Sequence, residues 1–240
     1  MIRAAIFDLD GVLLDSLSIW EDLGARYLRA KGITPEEGLG KTLFPMSMEQ
    51  GARYMKDRYA LPESAEEILE GLKTLLEHFY FEEVPAKPGA EELLSCLKVR
   101  GIPMAAATSS PRPHVTAALD RLGLLGYFRK IFTTGELGTS KHRPDIYLVA
   151  AEALGAKPEE TLVLEDSLYA LQTAKAAGFP TVGVFDPIGE PDQRTLKQEA
   201  GQYVKSLSEV EISYPQRSTG GTTLGRLTKP CCQTRRELST

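Results

Sequence analysis

The chain is poor in the residues that most often carry metal and redox chemistry: among 240 residues there are three cysteines, three histidines and one tryptophan. Cys96, Cys231 and Cys232 have no spaced pattern of the kind that marks a disulfide framework, and His78, His114 and His142 make no zinc spacing with them or with one another. A reducing compartment is therefore expected. No run reaches the roughly 18 apolar residues needed to cross a bilayer. Asp8 and Asp10 interrupt the first apolar run, so no secretory leader is expected either. Basic residues are short as well: 28 Lys and Arg against 33 Asp and Glu leave a net charge of -5, and a general nucleic-acid binder usually shows a basic face. There is no Gly-x-Ser-x-Gly elbow and no nucleotide-binding glycine run, which sets aside serine hydrolases and dinucleotide enzymes. What is left is a cytoplasmic globular protein, 42% apolar and 25% charged, long enough for one large domain or two modest ones.

What is present centres on Ile2 to Ser16, IRAAIFDLDGVLLDS. Ala4, Ala5, Ile6 and Phe7 read as a buried strand that stops at Asp8-Leu9-Asp10-Gly11. Two carboxylates thus follow a strand's C-terminal end, the edge where open α/β sheets bind ligands. Alone, Asp10-Gly11 would pass for a turn. Later pieces repeat the arrangement. The run Ile102 to Ala107 ends in Thr108-Ser109-Ser110, Lys141 lies in SKHRPD, and Leu162-Val163-Leu164 ends in Glu165-Asp166-Ser167.

The set DLDG, T-S-S, K-x-x-P-D and ED, in this order, resembles the haloacid dehalogenase superfamily of phosphatases and phosphomutases. Within it, the chain is similar to the branch that includes β-phosphoglucomutase and related sugar-phosphate phosphatases. The resemblance covers roughly residues 1 to 213. It implies a Rossmann-like, doubly wound parallel α/β sheet with an inserted helical cap, and the pattern of elements agrees. From Ala90, strands at 102–107, 130–133, 161–165 and 181–184 alternate with helices, which implies a parallel sheet; Tyr203-Val204 could add an edge strand.

Residues 14 to 86 read as helices only: one over 16–31, a short one starting at Thr34-Pro35-Glu36-Glu37, one opened by a capping box at Ser47, and an amphipathic one opened by a second box at Ser64. The expected division is a catalytic core of 1–13 and 87–213, a cap of 14–86, and a disordered tail of 214–240. That tail has five basic residues, one acid, eight Ser or Thr and three Gly, with little periodicity. Gly11 to Asp15 and Pro85 to Gly89 form two connections side by side, suited to rigid-body opening.

The resemblance implies Asp8 as nucleophile and Asp10 as general acid and base. An aspartyl-phosphate divides one difficult displacement into two easier ones. Asp8 must approach a phosphate dianion, so a divalent cation is needed, and Mg²⁺ suits oxygen ligands. Asp8, the backbone carbonyl of Asp10, and Asp166 would hold it, with Glu165 ligating directly or through water; alone, Glu165-Asp166 would read as a helix cap. Thr108, Ser109, Gly11 and Lys141 would receive the phosphate, Thr108 and Lys141 being counted with the catalytic set. Ser16, Trp20 and the Phe44 to Met48 loop are the cap residues placed to touch substrate, although Trp20 and Phe44 could equally be bundle core.

The expected activity is hydrolysis of a small phosphorylated metabolite by a monomer, with no nucleic-acid or membrane partner. Two further readings are a phosphosugar mutase and a phosphate-binding module without catalysis. The mutases' motif has a histidine five residues after the aspartate that follows DLDG. Here that aspartate is Asp15 and the position is Trp20, which cannot titrate as an imidazole does. Their arginine for the distal phosphate is also missing from LFPMSMEQ, residues 43 to 50.

Overall fold

The computed structural model describes residues 1–218 and 221–227. The chain divides into two compact units, one made of Met1–Asp15 and the chain from Pro85 onward, the other of Ser16–Val84. β1 (Ala4–Phe7) belongs to the first unit. The second unit is helical: α1 (Ser18–Ala30), α2 (Leu39–Leu43), α3 (Met48–Tyr59) and α4 (Ala65–His78), which runs on through a π turn at Phe79–Glu83. α3 and α4 each open on a reciprocal capping box, Ser47 with Gln50 and Ser64 with Glu67, so the free N–H groups of the first turn find partners within the segment itself. α4 buries Ile68, Leu72 and Leu76, one apolar stripe at helical spacing. The helix expected from Thr34 does not form, and α2 begins only after Gly38, which adopts a left-handed φ of 79°. Glu36 explains the delay. Its N–H donates to the Tyr59 hydroxyl at 3.0 Å and its carboxylate accepts from Arg58 Nε at 3.1 Å, so α3 holds the segment that would otherwise close a turn.

The first unit is a six-stranded sheet. β2 (Met104–Thr108), β3 (Phe128–Thr133), β4 (Thr161–Glu165), β5 (Thr181–Val184) and β6 (Gln202–Val204) join β1 in the order β3-β2-β1-β4-β5-β6, every pair parallel. β1, β2, β4 and β5 are buried at every position. That is why they read as unbroken apolar runs rather than alternating ones. The connecting helices are α5 (Ala90–Val99), α6 (Arg112–Arg121), α7 (Thr134–Leu137), α8 (Asp145–Leu154), α9 (Leu168–Ala176) and α10 (Gln193–Glu199). α8 packs Ile146, Tyr147, Ala150, Ala151 and Leu154 into one core with Ala4, Ile6, Ala105, Ala107 and Val163 from the strands.

The chain beyond Tyr214 corrects the expectation of disorder as far as it is described. β7 (Ile212–Ser218) pairs antiparallel with β8 (Gly221–Leu227), from Ile212↔Leu227 to Ser218↔Gly221. The hairpin is tied to the sheet unit where the Ile2 N–H donates to the Ser213 carbonyl at 2.9 Å. The Arg100 guanidinium sits 5.3 Å from the Tyr214 ring centre, and a Cβ at Gly225 would come within 2.7 Å of that ring. A composition rich in Ser, Thr and Gly concealed a threonine-containing strand, and threonine suits a pleated surface. The rest of the expected tail, 219–220 and 228–240, lies outside the described residues. No described helix is long and apolar enough to cross a membrane.

Candidate active site

In this strand order the winding reverses at β1 and β4, and the crevice beyond their C-terminal ends is where such sheets receive ligands. The Asp8 N–H donates to the Leu164 carbonyl at 3.0 Å, which holds the two strand ends side by side. Asp8 follows β1, Glu165 ends β4 and Asp166 follows it. All three are buried, and one oxygen from each lies within 4.8 Å of the others. Neither Glu165 nor Asp166 is spent on capping α9: the first-turn N–H of Leu168 is taken by Glu190 Oε2 at 2.9 Å.

Lys141 reaches this cluster from the loop between α7 and α8. Its Nζ lies 2.6 Å from Asp8 Oδ1 and 2.8 Å from Glu165 Oε1, and the residue is 4% exposed, unlike an ordinary loop lysine. The loop is fixed where Thr139 Oγ1 donates to Asp145 Oδ2 at 2.8 Å and Arg143 pairs with the same oxygen at 2.8 Å. Tyr147, two residues on, donates its hydroxyl to Glu165 Oε1 at 2.7 Å. Asp8 Oδ1 also accepts the Leu9 N–H at 2.7 Å.

Three buried carboxylates face one ammonium. Burial, and then Glu165, raise the Asp8 carboxyl well above its ordinary range. Burial, and then Asp8, push Asp166 up to about 7. Glu165 is raised chiefly by burial, with Lys141 opposing. Burial alone would lower the Lys141 ammonium, but Asp8 and Glu165 outweigh it and hold it above its usual value. Glu165 Oε2 is buried with no hydrogen-bond partner among the described residues. An unpartnered hard oxygen in a cluster short of positive charge fits a divalent cation held by Asp8, Glu165 and Asp166.

Asp10 stands apart from the three. Its Oδ2 accepts from Ser110 Oγ at 2.7 Å and from Thr108 Oγ1 at 3.4 Å, which turns the carboxylate toward the end of β2. Thr108 is fully buried and its Oγ1 also accepts the Ser110 N–H at 3.0 Å, whereas Ser109 is exposed. Thr108 does not cap α6, whose flanking residue is Pro111. Gly11 turns the chain away from Asp10 with a φ of 76°, a conformation a side chain would strain. Its carbonyl accepts from Lys87 Nζ at 2.8 Å, and Lys87 also reaches the Phe185 carbonyl at 2.9 Å and Asp186 Oδ2 at 2.8 Å.

Tyr147, Ser110 and Lys87 were not singled out from the sequence. Ser110 was visible in the T-S-S stretch and Tyr147 in K-x-x-P-D-I-Y, but Lys87 meets its partners across 76 to 99 residues of chain. Ser16 and Trp20 belong to the helical unit. Ser16 is buried, and half-buried Trp20 joins Leu23, Phe44, Met46, Met48 and Met55 around a cavity of about 260 Å³ inside that unit. Phe44 is 52% exposed, so it is not bundle core. His78 pairs with Glu83 at 3.1 Å, and His142 stacks on Tyr169 with ring centres 4.3 Å apart.

The chain is similar to known proteins in sequence and in structure. Hexitol phosphatase A of Escherichia coli (strain K12) is 34% identical over 215 residues, covering 88% of this chain and 94% of its own. A phosphorylated carbohydrates phosphatase of Thermotoga maritima is 28% identical over 181 residues, covering 75% and 84%. The crystal structure of a candidate beta-phosphoglucomutase from Thermotoga maritima superposes with a TM-score of 0.78 at 28% identity, covering 86% of this chain and 96% of that one. Residues 2–178 match the haloacid dehalogenase-like hydrolases, and the chain, with its carboxylates at the ends of β1 and β4, belongs to that family.

Proposed function

We propose that the chain is a Mg²⁺-dependent phosphatase of small phosphorylated metabolites, sugar phosphates or similar, acting through an aspartyl-phosphate on Asp8. The observation that carries this reading is the buried cluster of Asp8, Lys141, Glu165 and Asp166 at the β1/β4 reversal. Asp8 Oδ1 is occupied by Leu9 N–H and Lys141, which leaves Oδ2 to attack phosphorus. As the Oδ2–P bond forms, the ester P–O bond breaks and Asp10 gives its proton to the leaving oxygen. In the second half Asp10 takes a proton from water, the water oxygen bonds to phosphorus, and phosphate leaves Asp8. Ser110 holds the Asp10 carboxylate for both transfers. Lys141, the Ser109 N–H and the backbone at Gly11 are the donors for the phosphate oxygens, joined by Thr108 Oγ1 when its one proton turns from the long contact with Asp10 and leaves Ser110 to hold that carboxylate. Asp8, Glu165, Asp166 and the Asp10 carbonyl would hold Mg²⁺, whose charge would offset the repulsion between Asp8 and the phosphate dianion.

Ser16 and Trp20 are the proposed substrate contacts from the helical unit, and a cytoplasmic monomer suffices for this chemistry. Hydrolysis is favoured over mutation of a phosphosugar. A mutase must grip a bisphosphate at both ends while it reorients, a phosphatase need only admit water, and this chain has Trp20 and an arginine-free 43–50 stretch where the mutases' polar contacts would stand. The test is a phosphometabolite panel with Mg²⁺ and with chelator, including β-glucose 1-phosphate with catalytic glucose 1,6-bisphosphate. Metal-dependent release of phosphate is expected. Full activity in chelator, or glucose 6-phosphate forming faster than free phosphate, would contradict the reading.

A further inference from the structure

Tyr147 is fully buried in the core between α8 and the sheet, beside Ala4, Ile6 and Val163, with its ring centre 6.2 Å from that of Phe179. All of this packing would be served by phenylalanine. The hydroxyl is the difference, and a buried hydroxyl is destabilising unless it finds a partner. Its partner is Glu165 Oε1 at 2.7 Å, the same oxygen that Lys141 Nζ reaches at 2.8 Å. Two donors therefore meet on Oε1, while Oε2 of the same carboxylate is buried with none among the described residues. A half-turn about the terminal bond of Glu165 merely exchanges two equivalent oxygens, but any smaller rotation would break both contacts, so the pair of donors fixes the plane of the carboxylate and the direction in which its second oxygen points.

From this we infer that Tyr147 is a positioning residue of the cation site: its hydroxyl commits Glu165 Oε1 to the protein and keeps Oε2 for the metal. The inference rests on the cation-dependent reading above. It adds a role for Tyr147 toward Lys141. Since Tyr147 supplies one of the two donors to Glu165, Lys141 can divide itself between Glu165 and Asp8, at 2.8 and 2.6 Å. Without the hydroxyl, Lys141 alone orients Glu165, and the carboxylate plane is free to turn about that single contact.

The experiment uses Mn²⁺ as the probe and needs no substrate. Free Mn²⁺ is followed by its electron paramagnetic resonance signal as it is titrated into the full-length protein, Tyr147→Phe, Glu165→Gln and the double variant, with thermal unfolding in chelator measured alongside. Tyr147→Phe should bind Mn²⁺ about tenfold more weakly, in the range seen when a group supporting a metal ligand is lost, with its chelator-state melting temperature close to wild type. In the Glu165→Gln background the same substitution should change Mn²⁺ affinity little, because the carboxylate it orients is already gone. Wild-type affinity in Tyr147→Phe, an equal loss in both backgrounds, or a fall in melting temperature with affinity unchanged would each overturn the positioning role. Failure of the wild-type protein to bind Mn²⁺ would overturn the cation reading itself, which keeps the two failures apart.

Discussion

The two units bury different chemistry. In the sheet unit Asp8, Thr108, Lys141, Glu165, Asp166 and Asp186 are all buried; in the helical unit Ser16 is the one buried polar residue among those described. The charges of the helical unit stay near its surface, as in Arg26 with Glu83 and Asp22 or Lys31 with Glu63, and its interior is the apolar stripe of α4 and the Trp20 cavity. Removing an ion from water is destabilising unless excellent geometry compensates. A fold that keeps three carboxylates at strand ends and a loop ammonium inside carries a buried charge cluster that stability alone does not favour, the pattern expected where reactive groups are gathered.

The contrast is sharpest at Lys141. Lys141→Met should remove the one ammonium facing Asp8 and Glu165 and destabilise by about 3–5 kcal/mol, as expected when one partner of a buried pair is lost. Chemical denaturation in chelator measures this, and added Mg²⁺ should restore part of the loss. A cost below about 1 kcal/mol would mean that the carboxylates are already neutral and unpaired.

The pH dependence of stability should differ between the units in the same sense. Native Asp166 holds its proton up to about pH 7, while the unfolded chain releases it near pH 4. Between these values the native state binds more protons, so the metal-free protein should lose stability as pH rises from about 4 to 7, by at most about 1.4 kcal/mol per pH unit from this group. Asp166→Asn should flatten that slope, which thermal melts in chelator across the window would record. An unchanged slope would show that Asp166 titrates normally.

At the small end, Glu83→Ala breaks the pair with Arg26 at 2.6 Å, whose side chains are 39% and 32% exposed. The effect should be below about 1 kcal/mol and smaller still at high salt. A loss as large as that at Lys141 would erase the distinction between the two units.

What could be read from the sequence follows the range of the interactions. β1, β4 and β5 were legible because strands buried on both faces are continuous apolar runs, and the capping boxes at Ser47 and Ser64 because each closes within three residues. β3 begins two residues earlier than the expected 130–133, at Phe128, since half-buried Phe128 and exposed Arg129 add no apolar run ahead of it. The absent helix at Thr34 and the contacts of Lys87 depend on partners distant in sequence, which local patterns do not reveal. Strand-end acids announced the site, but Tyr147 did not. A tyrosine in an apolar helical stripe looks like core, and only its 2.7 Å contact with Glu165 separates it from a phenylalanine.

The central claim is that Asp8 is buried for its chemistry. The direct measurement is the turnover of Asp8→Asn on the best phosphate ester of the panel, with its melting temperature taken in parallel. The account predicts a loss of several kcal/mol in barrier, more than a hundredfold in rate, in a protein that melts no lower than wild type, because the substitution removes a buried carboxylate. Retention of more than about a tenth of the wild-type rate, a loss under about 1.4 kcal/mol, would contradict it.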